Sequence, residues 1–187
     1  MKNKIECIEC ENVLCFVKQY CSGERLDEIS IGKNQNRYKK GECIFREDDP
    51  IFGVYIILKG GVKVVTTNLN GRQQVVRFAS AGHILGFRGL GRNKYYFNAV
   101  ALMDTSVCFV ENKVFYDTCM NNPDFTYNLL LFFAYSLRIT ELRVKYHAQM
   151  NIREKVAEAF VYCNEVFGVN PETKTLDARL SRQIGTG

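Results

Sequence analysis

The sequence predicts an α+β chain: a jelly roll of short β-strands, then one long helix, then a shorter helical region. Three observations carry this. From Tyr38 to about Val110, short apolar runs are cut by Gly, Asn and Asp at roughly 8–12-residue intervals, the spacing of an all-β sandwich or barrel. After Asn122-Pro123-Asp124 the apolar period becomes that of a helix. A length of 187 residues with 47% hydrophobic and 24% charged residues supplies a real buried core and excludes a disordered or fibrous chain.

Residues 1–25 form a cysteine-rich segment. Four of the eight cysteines, Cys7, Cys10, Cys15 and Cys21, crowd together there, while Cys43, Cys108, Cys119 and Cys163 are scattered. Met1-Lys2-Asn3-Lys4 leads into acidic and cysteine-rich sequence, where an export signal needs an apolar core, and no apolar run is long enough to span a bilayer. The expectation is a cytoplasmic protein with no membrane partner, whose thiols stay reduced. Metal binding, redox sensing or plain burial then accounts for the cysteines. Cys7-x2-Cys10-x4-Cys15 offers three thiolates to one centre, and soft thiolates select zinc, Cu(I) or iron–sulfur clusters.

Residues 26–121 form the predicted roll. Its strands are read at Gly41–Phe45, Val54–Leu58, Val62–Thr67, Gln74–Phe78, His83–Gly86, Phe97–Leu102 and Ser106–Val110, with turns at Asp48-Asp49-Pro50, Lys59-Gly60-Gly61, Asn68–Gly71, Ala81-Gly82 and Gly91-Arg92-Asn93. Asn70-Gly71 between β-rich runs is a hairpin signal, because both residue types tolerate positive φ.

Residues 122–150 form the long helix, with apolar residues at Phe125, Leu129, Phe132, Phe133, Leu137, Leu142, Tyr146 and Met150. Its first half is apolar almost all round, so it is expected to pack its own domain on one side and a second copy of the chain on the other. From Asn151 a second helix begins, and Gly168 is placed to end it. A net charge of +5 permits an acidic partner such as DNA without demanding one.

With this layout in place, the chain resembles the CRP/FNR family of bacterial transcription regulators. The resemblance is carried by Lys40-Gly41-Glu42-Cys43-Ile44-Phe45, Tyr55–Val64, Gly71-Arg72, Gly82-His83-Ile84-Leu85-Gly86, Ile152–Glu158 and Leu180-Ser181-Arg182-Gln183. It implies a cyclic nucleotide-binding-like β-roll that senses a signal, a long dimerisation helix, and a winged-helix DNA reader entered at Ser181 and Arg182. A homodimer would present two recognition helices to half-sites one turn apart. The sequence ends four residues after Gln183, so residues 151–187 are expected to hold only the start of a truncated helix-turn-helix, with DNA contacted by a full-length form.

The ligand pocket implied by the family falls on Gly86, Phe87, Arg88, Phe97, Asn98 and Ala99. Nucleotide-binding members hold the phosphate with Gly-Glu and then Arg-Ser-Ala; here those positions read Gly86-Phe87 and Phe97-Asn98-Ala99, and phenylalanine cannot pair with a phosphate. Cyclic AMP is therefore disfavoured. Gly86-Phe87 is similar to FNR-type members, which bind a [4Fe–4S] cluster through three N-terminal cysteines spaced C-x2-C-x5-C and one distant cysteine. By that resemblance Cys7, Cys10, Cys15 and Cys108 are the candidate ligands, Cys108 closing Ala101-Leu102-Met103-Asp104-Thr105-Ser106-Val107 in the family's fourth-ligand position; the second spacing is four residues here. Zinc, a reversible Cys7/Cys10 thiol pair and plain burial remain open. Haem ranks lower, since His83 and His147 are the only histidines and both read as satisfied polar residues. Cys43, Cys119 and Cys163 read as buried small hydrophobes.

The expected function is a DNA-binding transcription regulator responding to a redox, oxygen or nitric oxide signal through the dimer helix. The alternative is a ligand- or partner-binding roll without DNA binding of its own. An enzyme is not expected, because a catalytic metal on a roll needs clustered His and carboxylates and only His83 lies there.

Overall fold

The computed structural model describes residues 4–68, 71, 73–87, 91 and 93–176. Two short helices, α1 (Phe16–Tyr20) and α2 (Gly23–Gly32), precede eight strands: β1 (Lys33–Tyr38), β2 (Cys43–Phe45), β3 (Gly53–Lys59), β4 (Gly61–Thr67), β5 (Gln73–Ser80), β6 (Ile84–Leu85), β7 (Asn98–Ala101) and β8 (Thr105–Glu111). Helices α3 (Asn112–Asn121), α4 (Pro123–Gln149) and α5 (Ile152–Phe167) complete the chain order. The strands form two four-stranded antiparallel sheets ordered β1-β8-β3-β6 and β2-β7-β4-β5. The fold is the expected α+β roll.

Alternation along β3 explains its unbroken apolar run. Ile57 points into the core between the sheets with Val62, Leu85, Ala99 and Val107. Val54 and Ile56 point the other way, into a second core shared with Cys108, Val110, Ile29, Phe115, Phe125 and Leu129. A sheet covered on both faces reads as continuous hydrophobicity. The pairing of β3 with β8 is close enough that a Cβ on Gly53 would stand 2.1 Å from the Val110 carbonyl oxygen, so only glycine fits.

Helix ends agree closely with the sequence. The Asn122 side chain accepts from the Phe125 amide at 2.9 Å and Pro123 opens α4, whose fixed φ suits the first turn. Asn151 and Glu154 make a reciprocal capping box at α5, and Gly168 ends it at φ +74. α5 lies back against β5, where the Tyr162 hydroxyl accepts from the Phe78 amide at 3.1 Å and Phe167 meets the Phe78 ring.

Several features depart from the expectations. β1 is not among the strands read from the sequence, because Lys-Asn-Gln-Asn-Arg-Tyr is polar, yet it pairs with β8 as an edge strand. α1, α2 and α3 are too short for their period to stand out. α2 runs through residue 25 and ends where β1 begins, so the cysteine-rich segment passes into the roll without a break. Cys43 and Cys119 are only half-buried, and Cys163 is buried as expected. Asn70, Arg88, Ser181 and Arg182 lie outside the described residues. Among the described residues, no helix is long and apolar enough to cross a membrane.

Candidate thiolate site

The N-terminal segment is strapped across the outer face of the β1–β8–β3 sheet. Lys4 Nζ donates to the carbonyls of Ile31 and Lys33 at 2.8 and 3.0 Å. Ile5 and Gln35 exchange two hydrogen bonds of 2.9 and 3.0 Å between backbone and side-chain amide. The Cys7 amide donates to the buried Ser30 hydroxyl at 2.9 Å, and Asn12 Nδ2 donates to the Ile57 and Leu58 carbonyls. These bonds satisfy the polar groups of a segment with little regular structure, and they fix where its cysteines stand.

The result is that Cys7, Cys10, Cys15 and Cys108 line one enclosed cavity of about 20 Å³. Cys7, Cys10 and Cys108 are 6%, 8% and 8% exposed, and Cys15 is half-buried. Apolar side chains, including Val17, Ile29, Ile56 and Val110, make up most of the remaining wall. Such a cavity admits about one water-sized group. Among the described residues, no three His, Cys, Asp or Glu side chains are arranged to hold a metal ion, so the four sulfurs share a wall without converging.

Two lysines share that wall. Lys33 is 3% exposed, and its Nζ lies 3.0 Å from Cys7 Sγ. Lys18 Nζ donates to the Cys10 carbonyl. Gln35 Nε2 reaches Cys108 Sγ at 3.6 Å. Burial pushes the Cys108 thiol up, and Lys33 and Gln35 pull the other way. The Cys15 thiol is likewise raised by burial, against backbone hydrogen bonds that favour its charged form. The donor set is all sulfur, which suits a soft metal, and a buried ammonium beside it suits an anionic one. As placed, the sulfurs do not surround a common point, so it is the donor chemistry and not the arrangement that suits such a centre. Spacing singled out Cys7, Cys10 and Cys15, and the family resemblance added Cys108; nothing marks Ser30, Lys33 and Gln35 in their polar stretch.

α1 begins at the residue after Cys15. Its Phe16 ring packs on Phe125 and Phe132 of α4 at centroid distances of 5.4 and 5.7 Å, and on Tyr20 at 4.7 Å. The thiol cavity and the long helix thus share one apolar core.

Among the described residues, those assigned to a ligand pocket are not gathered into one cavity. Phe87 is buried, stacked on Phe133 at 5.3 Å and edge-on to Phe132, with the Arg77 guanidinium 5.1 Å from its ring centroid. It lines a shallow groove with Ser136, Leu137 and Thr140. Gly86, at φ +81, faces the Tyr95 ring. Asn98 accepts from the Glu47 amide at 3.2 Å and lines a separate groove with Lys40, Arg46 and Lys63. Ala99 is fully buried and Phe97 packs against the inter-sheet core. The physical reason is that Phe87, lacking a charge to solvate, joins the aromatic cluster on α4. His83 Nδ1 accepts from the Ser80 amide at 2.8 Å and His147 meets Glu158 at 3.1 Å, so both are satisfied polar residues.

Residues 35–122 match the cyclic nucleotide-binding domain family. The transcriptional regulatory protein btr of Bordetella pertussis is 33% identical over 87 residues, covering 46% of this chain and 35% of that protein. The fumarate and nitrate reduction regulatory protein of Escherichia coli is 24% identical over 161 residues, covering 83% of this chain and 63% of that protein. The chain therefore spans between about a third and two thirds of the length of these relatives. Among solved structures, the catabolite activator protein of Thermus thermophilus superposes with a TM-score of 0.62 at 21% identity, over 71% of this chain and 63% of that one, a likeness of fold. With the roll, the long helix and these matches together, the chain carries a match to the cyclic nucleotide-binding domain and is similar to regulators of the CRP/FNR type.

Proposed function

We propose that the chain acts as a homodimeric, DNA-binding transcription regulator, not an enzyme, and that a redox, oxygen or nitric oxide signal reaches it through a thiolate-held centre at Cys7, Cys10, Cys15 and Cys108. The observation that carries this reading is the meeting of four cysteines, three from the N-terminal strap and one from β8, on a single buried cavity. Its curated relatives are named as regulators, which supports the output side. A [4Fe–4S] cluster held there would supply a redox-active centre whose integrity depends on oxygen. The chain's own residues supply the rest. Cys15 is joined directly to Phe16, so a shift of Cys15 changes how Phe16 sits against Phe125 and Phe132.

The outer face of α4 fits a second copy. Tyr127, Leu130, Ala134, Leu137, Glu141, Val144 and Ala148 keep the alternating three- and four-residue spacing of a coiled-coil seam, and every one of them is exposed. Phe125, Leu129, Phe132 and Phe133 on the opposite face are taken up by the chain's own core. Two copies paired along that seam would place their α5 helices symmetrically for a palindromic site.

A cyclic nucleotide is a poorer fit as effector. Phe87 is packed into the aromatic cluster, and Arg77 is engaged by the Ile84 carbonyl at 2.8 Å and by the Phe87 ring. Anaerobic purification with iron, sulfide and zinc analysis tests the reading. A brown protein with about four irons and four sulfides per chain is expected; a colourless, metal-free protein with unchanged behaviour in air refutes the thiolate centre.

A further inference from the structure

We infer that Cys7 and Cys10 form a peroxide-reactive thiol pair: Cys7 is the attacking sulfur, Cys10 the resolving one, and Lys33 the positioning residue that makes Cys7 the first thiol of the chain to react. The pair shares with the proposed function only a redox input at these thiols. It needs no metal, and two side chains suffice for its chemistry.

A turn brings the two cysteines together. The Cys10 amide donates to the Cys7 carbonyl at 3.4 Å, closing a four-residue turn. Such a turn holds its first and last Cα atoms within about 7 Å, the range in which a disulfide closes without large backbone movement. Both side chains line the same enclosed cavity, and they are 6% and 8% exposed.

Lys33 sets Cys7 apart from the other cysteines. An ammonium taken out of water is strongly unfavourable unless an anion meets it. Lys33 is 3% exposed, and the ion pairs among the described residues, Arg25 with Glu28, Lys94 with Asp48 and His147 with Glu158, give it no carboxylate. Its Nζ donates instead to Cys7 Sγ at 3.0 Å. The backbone keeps it there, because Lys33 opens β1 opposite Val110 and Lys4 closes over its carbonyl. A cation at that distance steadies the negative charge that gathers on the sulfur as it attacks, so a thiol placed this way reacts ahead of one without a cation. Lys18 bonds the Cys10 carbonyl and not its sulfur, which leaves Cys10 the resolving role.

The cavity, of about 20 Å³, has room for about one water-sized group. That excludes bulky disulfides and selects hydrogen peroxide, admitted by local opening of the strap. The Cys7 thiol gives up its proton as its sulfur attacks one peroxide oxygen; the O–O bond breaks, the leaving hydroxide takes that proton to become water, and Cys7 is left as a sulfenic acid. The Cys10 sulfur then attacks Cys7 Sγ, the S–O bond breaks, the Cys10 proton leaves with the hydroxide as a second water, and the S–S bond forms. Two thiols lose two electrons, and one peroxide is reduced to two waters.

The test uses the full chain, reduced and held in chelator, so that its outcome is independent of any metal centre. Hydrogen peroxide is added, the remaining thiols are alkylated at intervals, and the peptides are mapped by mass spectrometry. A Cys7–Cys10 disulfide, about 2 Da lighter than the dithiol, is expected before Cys43 and Cys119 react, although those two are the more exposed. Exposure alone predicts the reverse order. In Cys10→Ser the sulfenic acid at Cys7 persists and is captured by dimedone. Lys33→Met slows the loss of Cys7 by roughly tenfold or more and leaves Cys43 and Cys119 unchanged; Lys33→Gln does the same should the methionine variant fail to fold. No disulfide, a disulfide from Cys7 to Cys15 or Cys108, or earlier loss of Cys43 and Cys119 overturns the pair. Unchanged kinetics at Cys7 in both Lys33 variants overturns the role of Lys33. A metal-free chain that still forms the disulfide refutes the thiolate centre alone, and a metal-loaded chain whose chelated form does not react refutes the pair alone.

Discussion

Replacing Phe16 by alanine should detach α1 without unfolding the roll. Phe16 is buried against Tyr20, Phe125 and Phe132, and a buried Phe→Ala change costs about 3–5 kcal/mol. What remains to hold the five-residue helix is chiefly Val17, whose burial stabilises by about 1.5–3 kcal/mol. A helix this short has no stability of its own, so the loss appears as local opening. No residue of α1 belongs to the core between the two sheets, so the roll is spared. Hydrogen exchange reads this at two amides, Gln19, bonded to the Cys15 carbonyl at 3.1 Å, and Cys21, bonded to the Val17 carbonyl at 2.8 Å. Their protection should fall by roughly 10²-fold or more, the equivalent of 3 kcal/mol, while amides of β3 and β8 change far less. Retained protection at Gln19 and Cys21, or an equal loss across β3 and β8, would refute the picture of α1 as a separately docked element that joins the thiol cavity to α4.

Three further outcomes are expected from the same geometry. Gly53→Ala forces a Cβ to 2.1 Å from the Val110 carbonyl oxygen and 2.8 Å from the Phe109 ring, so it should destabilise by about 3 kcal/mol; a thermal melt shifted by less than about 1 °C would show that β3 and β8 give way freely. Burial, with Arg77 close by, holds His83 below the ordinary imidazole range. The unfolded chain therefore takes up this proton first as pH falls, and stability contributed by neutral His83 is present above about 6.5 and declines below it until the folded group also protonates; an identical Tm-versus-pH slope between pH 7.5 and 5.5 in His83→Gln would contradict this. Along α4, Leu137→Lys should weaken self-association at least tenfold and Glu141→Leu should strengthen it, since both positions lie on the exposed seam; sedimentation velocity showing neither change would remove that face as the dimer contact.

How legible the molecule is in its sequence depends on where each element buries its surface. The strands of the double-covered sheet and both capped helices were readable, because continuous apolar runs and Asn-Pro or Asn-x-x-Glu caps act locally. β1 was not: it is an edge strand whose partner is β8, more than sixty residues away, and polar edge strands carry no periodic signal. The site shows the same division. Four cysteines could be proposed as a set by resemblance, while Lys33, Ser30 and Gln35 become visible only once β1 and α2 are brought beneath the strap. The packing of Phe87 was not legible either, because its ring partners Phe132 and Phe133 lie more than forty residues away on α4.

That relocation of Phe87 bears on how a signal would travel. In a roll that holds a charged ligand, the end of β6 must keep polar groups free to face it; here the same position is spent on an aromatic contact with α4. Phe16 reaches α4 from the opposite direction, and Phe132 touches both rings, at 5.7 Å from Phe16 and 5.3 Å from Phe87. Both inputs to the long helix therefore converge within one turn of it, and close packing makes such a junction respond to small displacements by changing partners rather than by stretching. A change at Cys15 is one residue from that junction, whereas a ligand in the roll would first have to displace Phe87 from its stack. The shorter route runs from the thiols, and this asymmetry is the physical argument for the proposal that puts a sensor in the N-terminal strap instead of the roll.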